Sequence, residues 1–334
     1  MRSKFLNRKK IAVVTTGGTI AMKLDPATGG LVPAVSGDDL IAAVPALKEI
    51  ATVEVHESSN VPSGHITPEL MLKIGRDVDA LAAREDIAGV VITHGTDTME
   101  ETAYLLNLTL HTEKPVTITG AMRGATDMGY DGPGNILAAV RTAASSQAAG
   151  KGVLLVLNDE IHAANEVTKT HTVSCSTFHS SMSGPIGHVY YDGVVINRQP
   201  LNLQKIYTDH LETNVELLKV TAGMSDFLFR ACADKPVAGL VVEALGAGNV
   251  PPTVRDGIEY VRSKGIPVVL ASRVGTGRVV PIYTYLGSAG DMAQWDLIDA
   301  GQINGAKARL KLMAALTKTQ DIHELQRLFA ERVD

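Results

Sequence analysis

Four side chains in this sequence are suited to covalent chemistry if folding unites them: Thr19, Thr96, Asp97 and Lys169. A threonine hydroxyl is a poor nucleophile until a neighbour takes or polarises its proton. A lysine acts as that base only when burial or an adjacent cation lowers its ammonium pKa. A carboxylate beside a lysine favours the charged form instead. The natural tasks of an aspartate in such a set are therefore orienting the lysine or gripping a substrate ammonium group. Gly17, Gly18 and Gly95 offer backbone N–H groups at turns, the donors that an oxyanion hole needs. The reaction class is acyl transfer at a carbonyl, most simply amide hydrolysis, with no metal. Thr19 and Lys169 lie 150 positions apart, so only the fold can bring them together.

The elements that must position these residues are legible. Val90-Val91-Ile92 is a short β-branched run suited to a strand buried on both faces. It leads into the polar turn His94-Gly95-Thr96-Asp97-Thr98. Met99, Ala103, Leu106 and Leu110 then fall at helical spacing. Thr98 or Asp97 as a helix cap would explain one residue of that turn, but not the whole polar cluster. His94 belongs to the turn's hydrogen bonding, and Glu100-Glu101 open the helix favourably at its dipole.

Upstream, Lys10 to Thr16 reads as a buried first strand, and Gly17-Gly18 permits a tight turn and close backbone approach to a ligand. The spacing is not that of the dinucleotide-binding glycine fingerprint. Residues 22–36 lack periodicity and read as a mobile loop over the Thr19 turn. Strands follow at 52–57, 116–119 and 152–157, with Thr67 and Pro68 opening a helix through Leu81. This alternation predicts a doubly wound α/β sheet whose strand-end turns, at Thr19, Ser63, Thr96 and Gly120, share one edge.

Beyond Glu160 the pattern changes. Residues 166–170 and 189–196 look like antiparallel additions, the latter turning at Asp192-Gly193. The polar, aperiodic stretch 198–214 reads as a linker between a domain at 1–197 and a smaller α/β domain at 215–334. In the smaller domain strands are expected near 216–221, 237–242 and 267–271, and helices near 252–264, 304–317 and 320–332.

Composition narrows the partners. A chain of 334 residues exceeds what one compact core usually holds, so two domains are expected. A net charge of −5 without a basic run argues against nucleic acid. Cys175 and Cys232 are far apart and lack CxxC spacing, which excludes a disulfide framework and a thiolate zinc site. His162, His171, His179 and His188 show no metal-ligand spacing. No cofactor is expected. No apolar run approaches the length of about 18 residues that spans a membrane, and no signal-peptide core follows the basic N-terminal residues, so a cytoplasmic protein is expected.

TTGGTIA at 15–21 and ITHGTDTMEETAYLL at 92–106 resemble the two signature segments of the bacterial L-asparaginase/glutaminase-asparaginase family. The similarity continues at 115–123, at 131–133, at Asn158-Asp159 with 167–170, and at 272–274 with 276–277, over nearly the whole chain. The resemblance implies a Rossmann-like N-terminal domain, a smaller flavodoxin-like C-terminal domain and a homotetramer built as a dimer of dimers. It also implies a small amide substrate. Thr19 resembles the family's first nucleophilic threonine, and Thr96, Asp97 and Lys169 its second threonine with its partners. Asp97 would bind the substrate's α-amino group, Ser63 its α-carboxylate, and the Ala121 carbonyl would lie near the leaving amide.

Four positions depart from the family pattern. Residues 22–36 contain no tyrosine to serve as the lid tyrosine. Gly64 stands for a substrate-binding glutamine, and Ala247 for an asparagine, with Asn249 two residues on. No acid lies at 283–286, where the family places a glutamate that reaches into the neighbouring subunit. Each lost bond to a charged group costs roughly 1–3 kcal/mol. The leading expectation is hydrolysis of L-asparagine. The alternative is a family member acting on another small amide, lactam or N-substituted asparagine-like compound. A non-catalytic sensor is a third reading, disfavoured because a pure binder needs no pair of hydroxyl turns plus a lysine.

Overall fold

A computed structural model of the chain describes residues 8–18, 20, 22–24, 31–33, 36–235 and 237–330. It divides into two compact units, Met1–Lys205 and Ile206–Asp334.

The first unit is built on an eight-stranded sheet. Its parallel part comprises β1 (Lys10–Thr15), β4 (Thr52–Glu57), β5 (Ile87–Thr93), β6 (Val116–Thr119) and β7 (Val153–Leu157). A hairpin of β2 (Met22–Leu24) and β3 (Leu31–Pro33) lies between β1 and β4 in sequence. The region 22–36 thus contains paired strands where aperiodic sequence predicted a loop. Three-residue strands are too short to show an alternating pattern. The rest of that expected lid, 25–30 and 34–35, lies outside the described residues.

Apolar β-branched runs form the central strands because both faces of a parallel sheet are covered. Ile11, Val13, Val14, Val90, Val91 and Ile92 are fully buried. Helices Pro68–Ala82, Met99–Thr109 and Gly132–Ala144 connect the strands. The first of these is capped as expected, with Thr67 Oγ1 accepting from the Leu70 N–H.

Order across the sheet is β12 (Gly193–Ile196), β11 (Gly187–Tyr190), β8 (Glu160–Ala163), then β7-β6-β5-β1-β4. Register decides where the chemistry gathers: Thr15 is level with Glu57 on one side and Thr93 on the other, and Thr93 with Thr119. Four strands therefore end in one row, and the four turns that follow leave from a single edge.

The antiparallel part begins at Asn158 and Asp159, both with positive φ, at 54° and 61°. Two such residues make the tight reversal that suits the twist of a hairpin. They send β7 back as β8 (Glu160–Ala163), followed across the sheet by β11 (Gly187–Tyr190) and β12 (Gly193–Ile196). β9 (Thr168–Lys169) does not join this sheet; it pairs with β10 (Phe178–His179) in a separate two-stranded ribbon.

The second unit has a four-stranded parallel sheet in the order β13 (Val215–Lys219), β14 (Gly239–Ala244), β15 (Val268–Ser272) and β16 (Ile298–Asp299). Helices Pro252–Ser263, Gly305–Ala315 and Ile322–Phe329 fall where the sequence predicted them. Strand β16 and helix Phe227–Asp234 were not foreseen. The helix buries only Phe229 and Ala233, while Phe227 and Leu228 face solvent and blur the apolar stripe. No helix among the described residues is long and apolar enough to cross a membrane.

Candidate active site

The turn after β5 carries Thr96, which is buried, and Asp97, whose side chain is 73% exposed. Lys169 reaches this turn from β9. Its ammonium donates to Thr96 Oγ1 at 3.0 Å and to Asp97 Oδ1 at 2.7 Å. An ion pair with one end in solvent contributes about 0–1 kcal/mol, too little to explain placing a lysine here. The ammonium leaves the Thr96 oxygen a lone pair and leaves the Asp97 carboxylate open to a ligand. Lys169 is also held at its main chain, where its N–H donates to Glu100 Oε2 at 2.8 Å.

Neighbouring turns close on Thr96. Gly120, after β6, sits so near that a Cβ there would meet the His94 carbonyl oxygen at 2.4 Å and Thr96 Cγ2 at 3.4 Å. The Gly120–Arg123 turn is fastened from the next helix. Asn135 Nδ2 donates to the Gly120 carbonyl, and the Asp131 carboxylate accepts from the Met122 and Arg123 N–H groups. Ala121 is fully buried within this turn.

Ser63 is buried, and its hydroxyl accepts from the Asp97 N–H at 3.3 Å. Its carbonyl accepts from Thr98 Oγ1 at 2.8 Å. Thr98 is the N-cap residue of its helix but makes no side-chain capping bond. Its hydroxyl instead ties two strand-end turns together, so capping explains none of the polar side chains in 96–98. Gly64 is exposed, and a Cβ at that position would meet nothing within 4 Å.

His94 lies beneath the turn, fully buried. Its Nδ1 pairs with the Gly95 carbonyl at 2.7 Å and its Nε2 with Thr102 Oγ1 at 2.9 Å. Burial pushes its pKa down to about 4, against which the Gly95 carbonyl works weakly. The ring is therefore neutral at ordinary pH, donating through Nδ1 and accepting the Thr102 hydroxyl proton. It is a strut of the turn, as expected from its place in the motif.

Thr19 itself lies outside the described residues. Its neighbours Gly18 and Ile20 do not. Gly18 has φ +86°, and a Cβ on it would meet Gly95 Cα at 2.3 Å. Only glycine lets these two backbones approach so closely. Ile20 is buried, and its carbonyl accepts from the Tyr130 hydroxyl at 2.7 Å. The first strand-end turn is thus pinned beside the one carrying Thr96.

Behind Lys169, Glu166 anchors the approach to β9. Arg198 Nη2 donates to it at 2.6 Å, Ser183 Oγ at 2.5 Å and the Leu201 N–H at 2.8 Å. Burial raises the pKa of this carboxyl, but the three donors together outweigh burial and the net shift is downward. Residues 198–205 belong to the first compact unit, and Lys205 Nζ also donates to the Asn107 carbonyl.

Glu100, Thr102, Tyr130, Glu166 and Arg198 support the site, yet sequence reasoning did not single them out for it. Each acts across a long chain separation or from within a helix, where spacing alone leaves no signal. Ala247, Tyr283 and Tyr285 belong to the second unit. There the Ala247 carbonyl accepts from the Val280 N–H, and the two tyrosine rings lie 5.5 Å apart. Among the described residues no group of three or more His, Cys, Asp or Glu side chains is placed to hold a metal ion.

The geometry defines a class: a two-unit α/β protein that gathers a hydroxyl, an ammonium and a carboxylate at the carboxyl edge of a parallel sheet. Comparison with known proteins narrows it. Residues 10–202 match the family model described as Asparaginase, N-terminal, and residues 214–329 match the Glutaminase/Asparaginase C-terminal domain. The chain is 37% identical to L-asparaginase 2 of Bacillus subtilis, covering 96% of this chain and 86% of that protein. It is 38% identical to L-asparaginase 2 of Escherichia coli, covering 96% and 92%. Identity to the glutaminase-asparaginase of Pseudomonas aeruginosa is 36%, covering 96% and 90%. This chain belongs to the asparaginase family.

Proposed function

We propose that this protein is an amidohydrolase that converts L-asparagine to L-aspartate and ammonia through an acyl-threonine intermediate. The observation that carries the reading is the contact of Lys169 Nζ with both Thr96 Oγ1 and Asp97 Oδ1. In this scheme a threonine Oγ attacks the carboxamide carbon. The hydroxyl proton passes to the departing nitrogen, which leaves as ammonia. Water then cleaves the ester, returning the proton to threonine and releasing the carboxylate. Thr96 with Lys169, and Thr19, which follows Gly17-Gly18 in sequence, are the two hydroxyls proposed for this work. Asp97, open to solvent on one side, grips the substrate ammonium; Ser63 serves the α-carboxylate; and Ala121 offers its carbonyl to the leaving amide. The proximity of these turns supplies the effective concentration that such a reaction exploits.

The names of the relatives, L-asparaginase and glutaminase-asparaginase, favour asparagine over the altered-specificity alternative. Ammonia release from L-asparagine, L-glutamine and a panel of substituted amides tests this. Turnover of L-asparagine ahead of the panel supports the reading, and silence on L-asparagine with turnover of another amide refutes it.

A homotetramer and a cytoplasmic location are part of the same proposal, to be checked by light scattering in solution and by cell fractionation. Segment 198–214 is proposed as the connection between two domains at 1–197 and 215–334. The division of the chain into compact units between Lys205 and Ile206 falls inside that segment.

A further inference from the structure

An acid in the first turn of a helix has an ordinary explanation, the favourable field at the helix N-terminus. Glu100 occupies such a position in the Met99–Thr109 helix. The structure gives its carboxylate another role. Oε2 accepts the Lys169 backbone N–H at 2.8 Å, across 69 positions of chain. The Lys169 ammonium meanwhile donates to Thr96 and Asp97. One short stretch, 96–100, therefore holds this lysine at both ends, main chain and head group.

Lys169 needs that second hold. Its strand, β9, has two residues and, among the described residues, pairs with just the two residues of β10. A lysine side chain is long and flexible, so the position of Nζ is only as well defined as the backbone that carries it. The bond from Glu100 supplies that hold through an acceptor oxygen placed at 2.8 Å from the Lys169 nitrogen. It also springs from the same turn-and-helix unit that presents Thr96. Any shift of that unit then carries the Lys169 backbone along with the Thr96 hydroxyl.

We propose that Glu100 is a positioning residue for the reaction, fixing the Lys169 main chain so that Nζ stays in register with Thr96 Oγ1. The inference rests on the proposed function of Thr96 and Lys169.

Two variants of the full-length chain separate this role from a helix-terminus charge. Glu100→Asp keeps the charge and shortens the reach; Glu100→Gln removes the charge and keeps an acceptor oxygen at the same distance. If Glu100 positions Lys169, E100D lowers kcat for L-asparagine by roughly tenfold to a hundredfold, the scale expected for a small misplacement of a catalytic group. E100Q stays within about threefold of the parent, and KM moves little in both because the role acts through the position of Lys169. Amide hydrogen exchange in the 168–170 segment follows the same order, accelerated in E100D and near the parent rate in E100Q. The reverse order, with E100D near the parent and E100Q impaired, overturns the proposal, as does unchanged exchange at 168–170 in E100D. If the parent protein releases no ammonia, the proposed function fails by itself, and the exchange measurement still decides whether Glu100 holds the Lys169 backbone.

Discussion

Lys169 Nζ lies 3.0 Å from Thr96 Oγ1, although 73 positions separate the two residues in the chain. Two unlike devices make that contact. Thr96 is delivered by a strand of the main sheet, in register with its neighbours through Thr15, Thr93 and Thr119. Lys169 arrives on a two-stranded ribbon beside that sheet, secured by Glu166 behind it and Glu100 in front. The main sheet sets the row of turns, and hydrogen bonds outside it bring the amine to that row.

His94 makes the fold acid-sensitive. Its pKa is about 4 in the folded protein against an ordinary 6.5, so the unfolded chain takes up the proton first as pH falls. The stability associated with the neutral buried ring is complete above pH 6.5 and is lost as pH drops from 6.5 towards 4. The full loss is about 3 kcal/mol. Denaturant unfolding of the parent and of His94→Asn over this range checks it. The variant is less stable near neutrality but shows a shallower decline with acid.

Removing one partner from the Glu166 cluster exposes its energetic asymmetry. Glu166→Gln leaves the Arg198 guanidinium without its carboxylate in a site where the Glu166 side chain is 5% exposed. Loss of a buried charge partner costs about 3–5 kcal/mol, and the 26% exposure of Arg198 places the expected loss towards the lower end of that range. Substituting both residues with apolar ones of similar volume recovers part of it. Urea unfolding of the single and double variants measures the difference.

Gly18→Ala strikes the active-site edge directly. The added Cβ meets Gly95 Cα at 2.3 Å in a backbone conformation that L-residues seldom adopt. Strain of this kind costs about 1–3 kcal/mol unless the turns separate. Separation moves the Gly17-Gly18 turn away from the turn that carries Thr96. The expected result is a fall in kcat out of proportion to the loss of stability, seen by comparing ammonia release with melting temperature.

Tyr130→Phe deletes the hydroxyl that donates to the Ile20 carbonyl and keeps the ring packed over Gly132. The cost to stability is about 1 kcal/mol, the usual net worth of one hydrogen bond. A thermal melt that does not change would show that this bond does not hold the strand end.

Much of this was legible in the sequence, and the reasons differ by element. Val90 to Ile92 and Lys10 to Thr16 read as buried strands because both faces of a parallel sheet demand apolar residues. The polar turns at their ends stood out by contrast. Thr96, Asp97 and Ser63 were therefore found from local pattern, and the family resemblance linked them to Lys169. The ribbon that carries Lys169 was read as an addition to the main sheet, since two-residue strands leave no periodicity. Asn158-Asp159 makes its reversal with two positive-φ residues and no glycine, so the turn carries no strong hairpin signal in the sequence. The supporting set escaped for a different reason. Glu100 looks like any acid at a helix start, and Glu166 and Arg198 like ordinary surface charges, until tertiary structure brings them to their partners.

The most direct test of the account is a double-mutant cycle on Thr96 and Lys169, read as kcat/KM for L-asparagine. Thr96→Ala and Lys169→Ala should each cost about a thousandfold or more, and the double variant should be little worse than either single one, because groups that work as a unit are lost together. Strictly multiplicative losses, or near-parental turnover in either single variant, would contradict the claim that these two residues act as one device.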